Sequence, residues 1–284
     1  MKPAPFVYHR PNTIDEAVAQ LAEVAGDGRV LAGGQSLVPT MAFRLARPAH
    51  LVDINGIAEL ARVEVADRML SIGACVRHAA FHRPLVDGPL GALLAFVVRH
   101  IGHYPIRMRG TFCGSLAHAD PASEWCLVAA TLGAEMTARS VRDERVIAAD
   151  DFFDGIMTTT LAEDELLTGA RIPLLAADTR CGFYEFSRRA GDYAIAMALA
   201  TFRIVDGLIV EPSIAVGGAE ARPRRIAEAE RLIAGQPPSD KVFRAAAAAA
   251  ADCIDPLEDI QADAAYRLDL VRVVTRRALE RAAA

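Results

Sequence analysis

Short apolar runs and one helical spacing alternate through the first third of the chain. Phe6-Val7-Tyr8 reads as a strand, and Thr13 opens a helix that runs through Ala25. Glu16, three residues after Thr13, completes a capping box. Val30 and Leu51-Val52-Asp53-Ile54 read as further strands, so residues 1–57 form a compact βαββ-like unit. Arg62-Val63-Glu64-Val65 and Met69 to Ala74 then alternate as a hairpin about Ala66-Asp67-Arg68. A helical stretch follows from about Gly91 to His100, then the apolar segment Trp125 to Gly133 and a strand pair around Glu135 to Val146. Pro173 closes the run Leu166 to Ile172, and Leu174 to Thr179 reads as a connector.

The texture then changes. Arg203 to Val210 is a hairpin with an Asp-Gly turn, Ser213 to Gly217 a further strand. Helices include Arg224 to Ala234, lie around Phe243 to Cys253, and run from Ala264 to the end. Strands followed by packed helices describe an α+β unit. The alanine run Ala245 to Ala251 reads as a close-packing helix face.

Two glycine-bearing stretches interrupt this pattern. Ala32-Gly33-Gly34-Gln35-Ser36 follows the buried-strand pattern Arg29 to Ala32 and precedes Leu37 to Leu45, which has helical spacing with Pro39 near its start. Strand, glycine turn and helix start in that order aim free N–H groups and a helix dipole at one point, which suits an anion. The second stretch runs from Gly110-Thr111 through Gly114-Ser115 to Asp120-Pro121. A lone Gly-Gly-x-Ser turn is commonly only a tight turn, but two such loops can hold a pyrophosphate between them. The first is not a Walker loop, since no Gly-Lys-Ser/Thr follows, nor is it G-x-G-x-x-G.

Composition narrows the reading. The 284 residues are 52% hydrophobic but only 6% aromatic, giving an interior of Ala, Val and Leu. A net charge of -5 without a basic tract offers no footprint for nucleic acid or an anionic membrane. No apolar run approaches a membrane span and no signal-like segment follows Met1, so a cytoplasmic location is expected. Cys75, Cys113, Cys126, Cys181 and Cys253 form no C-x-x-C pair, which argues against a disulfide framework, a zinc site or an iron-sulfur cluster in this chain. Cys113, inside the second loop, reads as a space-filling thiol.

No Gly-x-Ser-x-Gly elbow occurs, and His9, His78, His82, His100 and His103 lack metal spacing. His118 and Asp120 suit positioning, while Asp150-Asp151 resemble a helix start. Catalytic residues and metal ligands are therefore expected to be none. A chain with phosphate-cradling loops and no acid, base or nucleophile set suits a redox cofactor that brings its own chemistry.

The two loops, together with Leu51 to Ile54, Ile101-Gly102-His103, Ile106-Arg107, Arg188 to Ala196 and Gly217-Gly218, resemble the FAD-binding medium subunit of bacterial molybdenum hydroxylases, the carbon monoxide dehydrogenase and xanthine dehydrogenase family. The resemblance spans essentially the whole chain. It implies an α+β chain with an FAD-binding fold of the p-cresol methylhydroxylase type. Two α/β subdomains, 1–57 and 58–175, would precede a small C-terminal α+β domain, 176–284. It implies noncovalent FAD, with the pyrophosphate held by the loop Leu31, Ala32, Gly33, Gly34, Gln35, Ser36 and Leu37, and from the other side by Thr111 to Ser115, including Gly114. Asp120 and Glu124 belong to the same implied site, Glu124 accepting from the adenosine ribose. Ile101, with Gly102 beside it, and Leu167 would pack on apolar cofactor surface, and Tyr193 would cover the flavin. The chain departs from the family at Phe112 and Cys113, where Ile-Gly is usual, and at Met108, where asparagine is frequent.

The implied function is electron transfer through FAD from an iron-sulfur subunit to an external acceptor. Molybdenum cofactor and 2Fe-2S clusters would sit in a large and a small partner subunit, assembled as a dimer of heterotrimers. Two other readings compete with it: a self-contained flavin reductase or oxidase of the same fold, which would need a proton donor beside the flavin, and a non-enzymatic scaffold whose glycine turns are only structural.

Overall fold

The computed structural model describes residues 2–284. Val7–His9, Gly28–Leu31 and His50–Asp53 form a parallel sheet with His50–Asp53 in the middle. Parallel neighbours require a crossover, and the helix Ile14–Val24 supplies the first one, burying Ala17, Val18 and Leu21. Its N-terminus is capped as expected by Thr13, whose Oγ1 accepts from the Glu16 N–H at 3.1 Å. The reciprocal bond is displaced by one residue, Glu16 Oε2 accepting from the Asn12 N–H at 2.7 Å. The helix expected over Leu37 to Leu45 stops at Ala42, and Arg44 leaves the helix with a φ of 60°.

A five-stranded antiparallel sheet follows, in the order Val63–Ala66, Met69–Gly73, Leu166–Pro173, Glu135–Arg139, Glu144–Ala148. Asp67 and Arg68 make the first hairpin turn with φ of 51° and 60°, the handedness that matches strand twist. Leu166–Pro173 is last in sequence but central in space, so the sheet closes only when distant segments meet. The helix Glu124–Leu132 is buried along its whole length, as a helix apolar on every face must be. Pro89 sets the start of the helix Pro89–Val97, which ends three residues before the predicted His100.

The C-terminal sheet pairs Arg180–Phe186, Ala196–Val205, Leu208–Gly217 and Arg224–Arg225, backed by the helices Ala227–Ile233, Asp240–Asp252 and Ala264–Ala283. Val210 and Ser213 to Gly217, read as two strands from sequence, belong to one. Glu211, with φ of 52°, and Pro212 make an irregularity where the pairing shifts between Thr201 and Arg203, and proline in a strand belongs at such a bulge. Arg224–Arg225 is an edge strand, so the helix expected from Arg224 begins at Ala227. The alanine run packs as expected, burying Ala246, Ala247, Ala250 and Ala251.

Strand Ala196–Val205 joins the parts. Met197 and Leu199 enter the apolar cluster that contains Trp125 and Leu127, while Ala196, Ala198 and Ala200 face the C-terminal helices. Side chains alternate across a strand, so this sheet is covered on both faces. Among the described residues no helix is long and apolar enough to cross a membrane.

Candidate functional site

The two glycine loops, 77 residues apart at Gly33 and Gly110, touch through their backbones. A Cβ placed on Gly33 would lie 2.5 Å from the Arg109 carbonyl oxygen and 2.6 Å from the Gly110 Cα. No side chain longer than hydrogen fits there. Gly34 beside it has a φ of 71°, the left-handed turn that releases the chain into the helix Leu37–Ala42.

A polar strut holds this junction. Asn55 Nδ2 donates to the Ala32 carbonyl at 2.8 Å, Arg77 Nη2 donates to Asn55 Oδ1 at 2.5 Å, and Arg77 Nη1 donates to the Arg109 carbonyl. Each loop thus contributes one carbonyl to a bridge that keeps it facing the other. Neither Asn55 nor Arg77 was singled out from sequence. Asn55-Gly56 directly after a strand marks a turn, but nothing local marks Arg77.

The first loop leaves its donors free: among the described residues, the N–H groups of Gly33, Gly34, Gln35 and Ser36 make no hydrogen bond within the chain. Gln35 turns its side-chain amide back onto the Gly33 carbonyl at 3.1 Å and stays exposed. The second loop is more occupied. The Phe112 N–H donates to Val76, Gly114 to Thr111 Oγ1 at 3.0 Å, and Ser115 to the Thr111 carbonyl. Thr111 caps the helix Phe112–His118, and a Cβ on Gly114 would meet the capping Thr111 Oγ1 at 2.6 Å, so a larger residue there must displace the cap. Cys113 turns its thiol into the core, where burial raises its pKa, so it does not crowd the loop mouth.

Ile101 and Leu167 sit in the main apolar cluster and present only their edges outward. Arg107 holds the turn beside Ile101, donating to the Ile101 and Gly102 carbonyls at 3.0 and 2.8 Å. Against this turn packs the loop before Tyr193, for a Cβ on Gly191 (φ 87°) would strike the His103 ring at 2.6 Å. Tyr193 keeps 56% of its surface open, yet its phenol end lies near Ser36, Asp120 and Glu124. Burial, then the Asp120 charge, raise the phenol pKa, and the nearby Ser36 hydroxyl opposes them. Tyr193 therefore bridges the C-terminal half of the chain to the first glycine loop.

Asp120 Oδ1 accepts from the Ala122 N–H at 2.9 Å and shapes the turn into the helix Glu124–Leu132. Ala119, at a φ of 51°, separates His118 from Asp120 and so prevents a helical pairing of the two. Glu124 is buried in the first turn of its helix. Burial, with the Asp120 charge adding, pushes its carboxyl up to about 7, against the opposing pull of the helix N–H. Gly217 and Gly218 close the site's back, the Gly218 N–H donating to the Pro121 carbonyl at 2.7 Å. Two surface cavities, about 410 Å³ beside Arg222, Arg224 and Arg225 and about 340 Å³ between Phe96 and Arg281, lie away from these loops. The converging donors, apolar edges, phenol and buried carboxyl suit an extended dinucleotide more than a compact ligand, and FAD fits that set.

Comparison with known proteins agrees. Residues 4–175 match the FAD binding domain in molybdopterin dehydrogenase, and residues 182–282 the CO dehydrogenase flavoprotein C-terminal domain. The nicotine 6-hydroxylase medium subunit of Paenarthrobacter nicotinovorans is 38% identical over 100% of this chain and 99% of its own length. A chain of carbon monoxide dehydrogenase from Hydrogenophaga pseudoflava superposes with a TM-score of 0.96 at 33% identity, covering 99% of this chain and 98% of that one. A chain of quinoline 2-oxidoreductase from Pseudomonas putida 86 does so at 0.93 and 36%, covering 100% and 98%. The chain belongs to the FAD-binding medium subunits of the molybdopterin dehydrogenases, the flavoprotein part of heteromeric molybdenum hydroxylases.

Proposed function

We propose that this chain conducts electrons from an iron-sulfur small subunit through noncovalent FAD to an external acceptor, with hydroxylation performed at molybdenum in a large subunit. The observation that carries the reading is the backbone contact between the two glycine loops, beside which the N–H groups of the first loop stay unpaired and the Tyr193 phenol lies near Ser36. FAD, when bound, supplies the redox chemistry. The chain's own residues bind and orient it. Gly33, Gly34, Gln35 and Ser36 donate N–H groups to the pyrophosphate, with Thr111 and Ser115 bordering it, Glu124 accepts from the adenosine ribose, and Tyr193 covers the flavin. Ile101 and Leu167 offer apolar edges, while Leu31, Ala32, Leu37, Gly102, Gly114 and Asp120 set the backbone path around them.

The cofactor-binding part is taken as 1–57 and 58–175, followed by the C-terminal domain at 176–284. The assembly is taken as a cytoplasmic dimer of heterotrimers. Substrate choice belongs to the large subunit, since similar flavoprotein chains occur in proteins named for nicotine, quinoline and carbon monoxide.

Acid precipitation of the purified chain should release FAD into the supernatant; flavin kept in the pellet, or FMN released, contradicts the binding scheme. Reconstitution tests the conduit. Substrate should reduce the flavin only when both partner subunits are present, and reduction by the isolated chain would instead identify a self-contained flavoenzyme.

A further inference from the structure

Glu185 is a buried acid that no part of this scheme uses. It lies in strand Arg180–Phe186 opposite Met197, whose side chain reaches Gly217 beside the Pro121 carbonyl. Its side chain is 4% exposed, and its Oε2 has no hydrogen-bond partner. The groups facing it from the surrounding elements offer no cation. His100, at the end of the helix Pro89–Val97, places Nδ1 3.9 Å away, beyond hydrogen-bonding reach, and burial followed by the Arg281 charge keeps that ring neutral. Arg281 itself, on the last helix, donates to the Phe183 carbonyl at 2.7 Å. From the helix Glu124–Leu132, the facing group is another acid, Glu124.

Two buried carboxyls without a cation cannot both ionise. Burial first, and the Glu124 charge second, push Glu185 up to about 9, so at neutral pH it is a carboxylic acid carrying both a donor and an acceptor. An orphaned polar atom held away from bulk water costs free energy until a partner satisfies it, and a bound ligand is one such partner. His100 immediately precedes Ile101, one of the apolar walls, and Glu124 is the acid assigned to the adenosine ribose.

We infer that Glu185 is part of the cofactor site and hydrogen-bonds the adenosine end of FAD beside Glu124, making the C-terminal sheet a direct contributor to cofactor binding. This rests on the placement of the adenosine at Glu124. The acid group of Glu185 donates to an adenosine acceptor or accepts from a hydroxyl, and the cofactor then clamps the C-terminal sheet against the helix Glu124–Leu132.

The test uses the full chain stripped of flavin, with FAD affinity read by flavin fluorescence, ADP affinity by competition, and apoprotein melting temperature alongside. Glu185→Leu should weaken FAD and ADP alike by about tenfold, or about 1.4 kcal/mol, without lowering the apoprotein melting temperature. Glu185→Gln, which keeps a donor and an acceptor, should bind both within about threefold of the parent. If the leucine variant does not fold, Glu185→Ala is read the same way. Unchanged affinities, or a loss confined to FAD with ADP unaffected, overturn the inference; so does a lowered melting temperature with affinity intact, which marks a structural role only. Glu124→Gln separates the two levels. If it weakens ADP while the Glu185 variants do not, the inference alone fails; if it leaves ADP binding unchanged, the adenosine placement fails and the inference with it.

Discussion

Gly33→Ala is the smallest change that tests the loop junction. The added Cβ would lie 2.5 Å from the Arg109 oxygen, 2.6 Å from the Gly110 Cα and 3.1 Å from the Arg109 carbonyl carbon. All three are backbone atoms, so no side chain can rotate away. Ordinary contact begins at 3.4 Å, and the loops must therefore part by about 0.9 Å. Overpacking of this kind costs about 1–3 kcal/mol, which lowers the melting temperature by roughly 2–4 °C per kcal/mol in a chain of this size class. The same displacement is larger than the whole useful range of an N–H···O bond, 2.7–3.2 Å, so donors set by the junction lose their aim. FAD affinity should fall by about tenfold or more. The assay is thermal unfolding of the apoprotein with flavin titration, and Gly155→Ala, where a Cβ meets nothing within 4 Å, is the control, expected to stay within about 0.5 kcal/mol of the parent. A Gly33→Ala protein that melts and binds FAD like the parent refutes the junction. Lost stability with intact FAD binding would make Gly33 a packing residue only.

Arg77→Leu removes the strut between the Ala32 and Arg109 carbonyls and should weaken FAD by about tenfold; unaltered flavin occupancy after dialysis argues against it. Trp125 Nε1 donates to His78 Nδ1 at 2.9 Å in the core, and burial first, with Arg107 and Arg77 adding, pushes that ring down to about 3, so it stays neutral. Trp125→Phe strands this acceptor at about 1–3 kcal/mol, read from urea unfolding followed by circular dichroism, and an unshifted midpoint counts against the bond. Apoprotein stability should also fall as pH rises from about 7 to 9, because folded Glu185 keeps a proton that the unfolded chain has already released. The stability from this raised pKa is complete at acid pH and lost on passing about 9; Glu185→Gln should flatten the decline, and parallel curves for the two proteins exclude the linkage.

The sequence by itself determined the local elements and the anion-binding character of the first loop, because capping, strand alternation and a strand-glycine-helix order are written in neighbouring residues. Thr13 and Glu16, the Asp-Gly turn, the buried alanines and the helix at Asp150-Asp151 were all legible in this way. The motif pairs also carried the family, since two separated loops in the right order are specific where one is not. Strand Arg180–Phe186 was not visible, because its partner Ala196–Val205 lies beyond an irregular loop and pairing is not a local property. Only the tertiary structure decided what the glycines are for. Gly33 clears the Arg109 backbone and Gly191 clears His103, so these two positions answer to chain crossings between distant segments before they answer to any phosphate. It also decided which acids matter: Glu124 and Glu185 stand 61 residues apart among thirty-six carboxylates of the chain, and only folding around the helix Glu124–Leu132 removes both from water and brings Glu185 within reach of the Glu124 charge.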